Sequence, residues 1–175
     1  MLLAYVILLP DDVHNFMRRV QADVYGRYEA SRRTLALEPH VTLKQPFEAT
    51  EAATHERYLE QLARETDTFE LVLNGLGVFE GEEGVLFLEV EQDPPLLALQ
   101  RRILDDLALE PGDYESGRPR PYYFHATIAT ALAPPHLEEA RTRYAETPEF
   151  RFGVERLGLF RKTEETWTLY KRVRL

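Results

Sequence analysis

The 175-residue chain contains no cysteine, which excludes disulfide frameworks, thiolate nucleophiles and cysteine-ligated metal clusters together. Positive charge is in short supply too. Twenty-one Lys and Arg stand against 30 Asp and Glu, a net charge of −9, so no global positive field exists to hold a long polyanion by counterion release. Any nucleic acid it handles is an end or a small piece, not a long duplex. The one segment resembling a targeting sequence, residues 2–9, has no basic region before it and no small-residue cleavage site after it, and it is too short to span a bilayer. It reads as a buried strand, stopped by Pro10 and Asp11-Asp12. There is also no Gly-rich phosphate loop, Gly-x-Ser-x-Gly elbow or EF-hand spacing. What remains is a globular composition, 44% hydrophobic and 29% charged. A cytoplasmic chain with no membrane partner is expected.

Two phrases recur: Leu76-Gly77-Val78-Phe79 and Leu157-Gly158-Leu159-Phe160, offset by 157 − 76 = 81 residues. Helix-like stretches at 51–66 and 135–147 precede them, and further helices are expected at 11–26, with acidic N-cap candidates, and at 93–109, with Asp93 capping and Pro94 in the first turn. Each unit, 11–91 and 94–174, reads as helix, strand, helix, strand, strand, and the strand at 2–9 completes one sheet. Two copies of a long period predict a single bilobal domain over 1–175 rather than a solenoid. Residues 25–38 and 110–120 lack apolar periodicity and read as less ordered.

Within each unit, an apolar strand carries one polar phrase: His40-Val41-Thr42 in Pro39-His40-Val41-Thr42-Leu43-Lys44, and His125-Ala126-Thr127 in Phe124-His125-Ala126-Thr127-Ile128-Ala129. Alternation along a strand puts His40 with Thr42, and His125 with Thr127, on one face. A two-fold relation between lobes then brings both imidazoles to one pocket. Such a pocket suits a phosphate attacked at one apex and leaving at the other. A neutral imidazole takes a proton from the nucleophile, a protonated one supplies the leaving oxygen, and the threonine hydroxyls hold non-bridging oxygens. No metal is needed, and two histidines without a third ligand leave a zinc sphere incomplete.

Strand parity also places Lys44 and Tyr123 on the cleft faces. Arg161-Lys162 directly follows the Leu-Gly-Leu-Phe strand and precedes the turn at 163–166, which puts it within reach of the rim, and Arg32-Arg33 and Arg118 with Arg120 are local positive clusters in loops able to attract a phosphate. Phe47, Tyr122, Phe124 and Trp167 are candidate stacking surfaces for a base, although strand aromatics are usually core. His14, His55 and His136 read as background. Pseudo-symmetry leaves open which of His40 and His125 is the base.

These motifs, with Pro46-Phe47 after the first and the closing Trp167-Thr168-Leu169-Tyr170, resemble the two-histidine (2H) phosphoesterase superfamily, which includes bacterial proteins described as 2′-5′ RNA ligase or RNA 2′,3′-cyclic phosphodiesterase. The resemblance implies a duplicated bilobal α+β fold, with two antiparallel sheets and flanking helices around a central groove. It implies that His40 and His125 act as acid and base and that Thr42 and Thr127 hold phosphate. It implies hydrolysis of a 2′,3′-cyclic phosphate at a nucleotide or RNA end without metal, and a monomer with no cofactor is expected. The alternative is a non-catalytic module that binds a nucleotide or RNA end in the same pocket.

Overall fold

The computed structural model describes residues 1–31, 33–112, 122–164 and 166–175, apart from the Arg33 side chain. Its elements run β1 (Leu2–Leu8), α1 (Asp11–Arg27), α2 (Arg33–Ala36), β2 (His40–Glu48), α3 (Ala52–Glu65), β3 (Glu70–Phe79), β4 (Gly84–Val90), α4 (Pro94–Asp106), β5 (His125–Leu132), α5 (Pro134–Arg143), β6 (Phe150–Gly153), β7 (Arg156–Lys162) and β8 (Trp167–Arg174). They form two antiparallel four-stranded sheets, ordered β2-β1-β7-β8 and β5-β4-β3-β6. The fold is the expected α+β pair of sheets with flanking helices.

The continuous apolar run of β1 fits a strand flanked on both edges: it pairs with β2 on one side and β7 on the other, and Leu3, Tyr5 and Ile7 are completely buried. Its counterpart is β4, which starts 84 − 2 = 82 residues later and pairs with β5 and β3. Each sheet therefore mixes the halves of the chain. Strand β3, which follows the first His-x-Thr strand, joins the sheet of the second, and β7 joins the sheet of the first.

Helix α1 buries Val13, Met17, Val20 and Val24, and α4 buries Leu96, Leu99 and Ile103, spacings of three, four and seven that make one apolar stripe. Each such side chain contributes about 1.5–3 kcal/mol by leaving water. These stripes and the core-facing residues of β1 and β4 belong to one hydrophobic cluster. On the opposite face of the first sheet, a smaller cluster gathers Ala4, Val6, Leu8 and Phe160 with Leu37, Trp167 and Leu169.

The stretch 25–38 is more ordered than its composition predicts: α1 continues to Arg27, and α2 follows after a short break. Arg18 supplies the reason, since its guanidinium donates to the Leu35 carbonyl at 2.8 Å and ties α2 to α1. Most of 110–120 lies outside the described residues. Among the described residues no helix is long and apolar enough to cross a membrane.

Candidate functional site

Strands β2 and β5 have the same burial pattern through their first five residues. His40 and Thr42 are half-buried while Val41, Leu43 and Lys44 are buried; His125 and Thr127 are half-buried while Ala126, Ile128 and Ala129 are buried. Two adjacent buried residues mark a β-bulge. The register passes from Val6↔Thr42 to Tyr5↔Lys44, and from Phe87↔Thr127 to Leu86↔Ala129. One extra residue, Leu43 or Ile128, thus enters directly after each threonine and reverses the parity beyond it. Gln100 of α4 is buried and donates to the Leu43 carbonyl at 3.1 Å, which satisfies the first bulge.

Both imidazoles are held in the same way. His40 Nδ1 lies 2.7 Å from the Glu38 carbonyl and His125 Nδ1 lies 2.8 Å from the Tyr123 carbonyl. A carbonyl only accepts, so in each case Nδ1–H is the donor and Nε2 carries the exchangeable lone pair. The segment that supplies the Tyr123 carbonyl is itself clamped. Gln92 accepts from the Phe124 N–H at 2.9 Å and donates to the Phe124 carbonyl at 3.0 Å. The Tyr122 hydroxyl donates to the Thr42 carbonyl at 3.1 Å, linking the two His-x-Thr segments across the sheets.

Burial pushes the His40 pKa down to about 4, against the opposing pull of its bond to Glu38, and the charge of His125 lowers it further. The His125 pKa is also lowered, chiefly by desolvation, with its bond to Tyr123 acting in the other direction. The charge of His125 is thus felt at His40, and the form with one ring neutral and the other protonated is the one able to accept one proton and donate another. Because desolvation disfavours the imidazolium, more acid is needed to charge either ring. We expect a bell-shaped profile of kcat/KM whose limbs both lie on the acid side of the ordinary imidazole value. The kcat profile should lie at higher pH, since a bound anionic phosphate favours the cation. Equal pH optima for kcat and kcat/KM above pH 7 would contradict this.

The aromatic phrases found by repetition meet these rings. Phe160 packs edge-on against His40, with centroids 4.7 Å apart at 82°, and Phe79 against His125, at 5.0 Å and 88°. Phe87 also lies 5.1 Å from His125. Beside them stands Tyr123, 39% exposed and 6.2 Å from Phe79.

Three residues expected at the cleft face elsewhere. Lys44 lies past the bulge, opposite Tyr5 on the core side of the sheet, and is 1% exposed. Phe47 is buried and stacks on Tyr5 at 5.8 Å. Arg161 is paired opposite the core residue Leu3, and its guanidinium sits 4.3 Å over the Tyr170 ring. Tyr122 and Phe124 are buried in the main cluster, and Trp167 packs on the smaller one. Of the basic loops, Arg32, Arg118 and Arg120 lie outside the described residues, as does the Arg33 side chain. The remaining histidines have structural partners: His14 accepts from Arg18, His55 meets the Tyr5 hydroxyl, and His136 packs on Tyr28. Among the described residues no cluster of three or more His, Asp or Glu has the arrangement of a metal site.

Sequence reasoning missed Gln92 and Gln100, which stabilise the two strands from a connection and from a helix interior. It also missed Glu89, which is paired opposite His125, and the part played by Phe79 and Phe160. The phrase Leu-Gly-x-Phe was the available signal for the last two.

A family model described as the 2′-5′ RNA ligase superfamily matches residues 9–166. Among curated proteins, a chain of Oceanobacillus iheyensis bearing a phosphoesterase name is 28% identical over 137 residues, covering 76% of this chain and 77% of its own. One of Geobacillus sp. with a similar name is 28% identical over 162 residues, covering 88% of both. Among solved structures, TT0787 of Thermus thermophilus superposes with a TM-score of 0.70 at 21% identity, over 100% of this chain and 98% of its own. E. coli LigT complexed with 3′-AMP superposes with a TM-score of 0.60 at 21% identity, over 99% and 96%. LigT structures with ATP and NADP+ have the same fold.

Proposed function

This chain belongs to the 2′-5′ RNA ligase superfamily, and on that premise we propose that it hydrolyses a cyclic phosphodiester, the 2′,3′-cyclic phosphate of a nucleotide or RNA end, without a metal ion. The observation that carries the reading is the matched pair of imidazoles, each on the first residue of its strand, each with Nδ1 committed to the backbone carbonyl two residues earlier, and each lowered in pKa chiefly by burial.

In this mechanism the phosphorus sits between the Nε2 atoms of His40 and His125. A water oxygen attacks it while the neutral imidazole removes the water proton. The bond from phosphorus to one ribose oxygen breaks as the imidazolium protonates that oxygen, leaving a phosphomonoester and a free hydroxyl. The pair returns to its starting protonation by exchange with solvent. Thr42 and Thr127, half-buried on the same strand faces as the histidines, donate to the non-bridging oxygens as charge builds on them. The substrate's orientation, fixing which ribose oxygen leaves, decides which histidine is the base. Both motifs lie on one chain, so a monomer suffices. Nucleotides as substrates are in keeping with the 3′-AMP, ATP and NADP+ complexes of E. coli LigT.

The test is turnover of 2′,3′-cyclic AMP in excess EDTA. Full activity, equal to that without chelator, is expected. Loss of activity in EDTA with recovery on adding a divalent ion would refute the metal-free reading. Tight binding of the nucleotide without turnover, in wild type as in His40→Ala, would make the chain a binding module.

A further inference from the structure

We propose that Phe79 and Phe160 are positioning residues that lock the two site imidazoles in the orientation they need for proton transfer. The inference rests on the two-histidine reading of the site. Each imidazole is tethered by one hydrogen bond from Nδ1. A single tether still lets the ring swing about that bond and move Nε2. The second restraint is an aromatic ring set edge-on, at 82° to His40 and 88° to His125. Perpendicular packing at these distances is a favourable ring geometry, and it blocks the swing.

The same restraint arises twice from the same phrase, and from the strand exchange. Phe160 belongs to β7 and reaches His40 of β2; Phe79 belongs to β3 and reaches His125 of β5. Gly158 and Gly77, two residues earlier on the same strand faces, make the space. A Cβ on Gly77 would collide with the Phe87 ring, and one on Gly158 would stand 3.0 Å from both Val6 and Leu169. Phe87, seated over Gly77 and 4.4 Å from Phe79, adds a second ring contact to His125 at 5.1 Å.

Burial distinguishes this role from ordinary core packing. Phe160 is 2% exposed and belongs to a cluster, but Phe79 is 39% exposed, one of three large hydrophobic side chains so exposed among the described residues. Its contacts are with Phe87, Tyr123 and His125.

The experiment uses Phe79→Leu, with a thermal melt to show that the variant is folded, and Phe79→Tyr as the conservative rescue. With 2′,3′-cyclic AMP, Phe79→Leu should lower kcat about tenfold with KM nearly unchanged, because a loosened imidazole spends less time in the reactive geometry, and Phe79→Tyr should restore it. Independently of turnover, NMR of the free protein should show the His125 Nδ1–H signal of Phe79→Leu broadened or lost to exchange, while that of His40 stays as in wild type. An unchanged kcat and an unchanged His125 signal would overturn the proposal. So would a rise in KM alone, which would make Phe79 a stacking surface for substrate. If wild type turns over no cyclic nucleotide, the functional reading fails, while the NMR comparison still decides whether Phe79 restrains the ring.

Discussion

Alanine in place of either His40 or His125 is expected to lower kcat for 2′,3′-cyclic AMP by about 10³-fold to 10⁴-fold, the upper part of the range for general acid or base catalysis. The two losses should be of similar size because the two rings are held alike, through Nδ1 bonds of 2.7 and 2.8 Å to carbonyls two residues earlier. The double variant should be little worse than either single one. Acid and base act in one step here, and once one is gone the other has no partner proton transfer to complete. Both residues are half-buried at the start of their strands, so far-UV circular dichroism and thermal melts should show folded variants. An activity loss below tenfold in either folded variant would remove that histidine from the chemistry.

The second large effect is expected at the threonines. Thr42→Ala and Thr127→Ala should each lower kcat about 10²-fold, the magnitude seen when one preorganised donor to a developing oxyanion is lost. KM should change less, since the hydroxyls act on charge that grows on the non-bridging oxygens in the transition state. Thr→Ser keeps the donor and should recover most of the rate. Steady-state kinetics on the four variants check this. A loss confined to KM would assign the hydroxyls to ground-state binding, and no loss would leave them as strand residues.

The two strands that carry the histidines were legible from the sequence because polar residues interrupt an apolar run at a spacing of two. The helices were legible because Val13, Met17, Val20 and Val24, or Leu96, Leu99 and Ile103, recur at helical spacing. The repeated Leu-Gly-x-Phe exposed the duplication. It did not reveal that each copy of that phrase lies in the sheet of the other half's first strand, because strand exchange is decided by packing between elements far apart in sequence. Parity failed at Lys44 for a local reason. The bulge at Leu43 inserts one residue, and a one-residue slip turns every later side chain to the other face. Arg161 failed for a topological one, since pairing of β7 with β1 sets Phe160 opposite Ala4 on the site face and Arg161 opposite Leu3 on the core face. Gln92 left no trace in periodicity. It lies in a short connection, and only the folded backbone brings it to the Phe124 N–H and carbonyl.

The mechanism requires one phosphorus shared by two imidazoles, and the most direct measurement is a crystal structure with a nucleoside monophosphate product bound. The predicted result is a single phosphate with His40 Nε2 and His125 Nε2 each within about 3 Å of its oxygens, at ordinary hydrogen-bond lengths, and the Thr42 and Thr127 hydroxyls on the oxygens between. A phosphate bound to one histidine alone, or seated away from both, would contradict it.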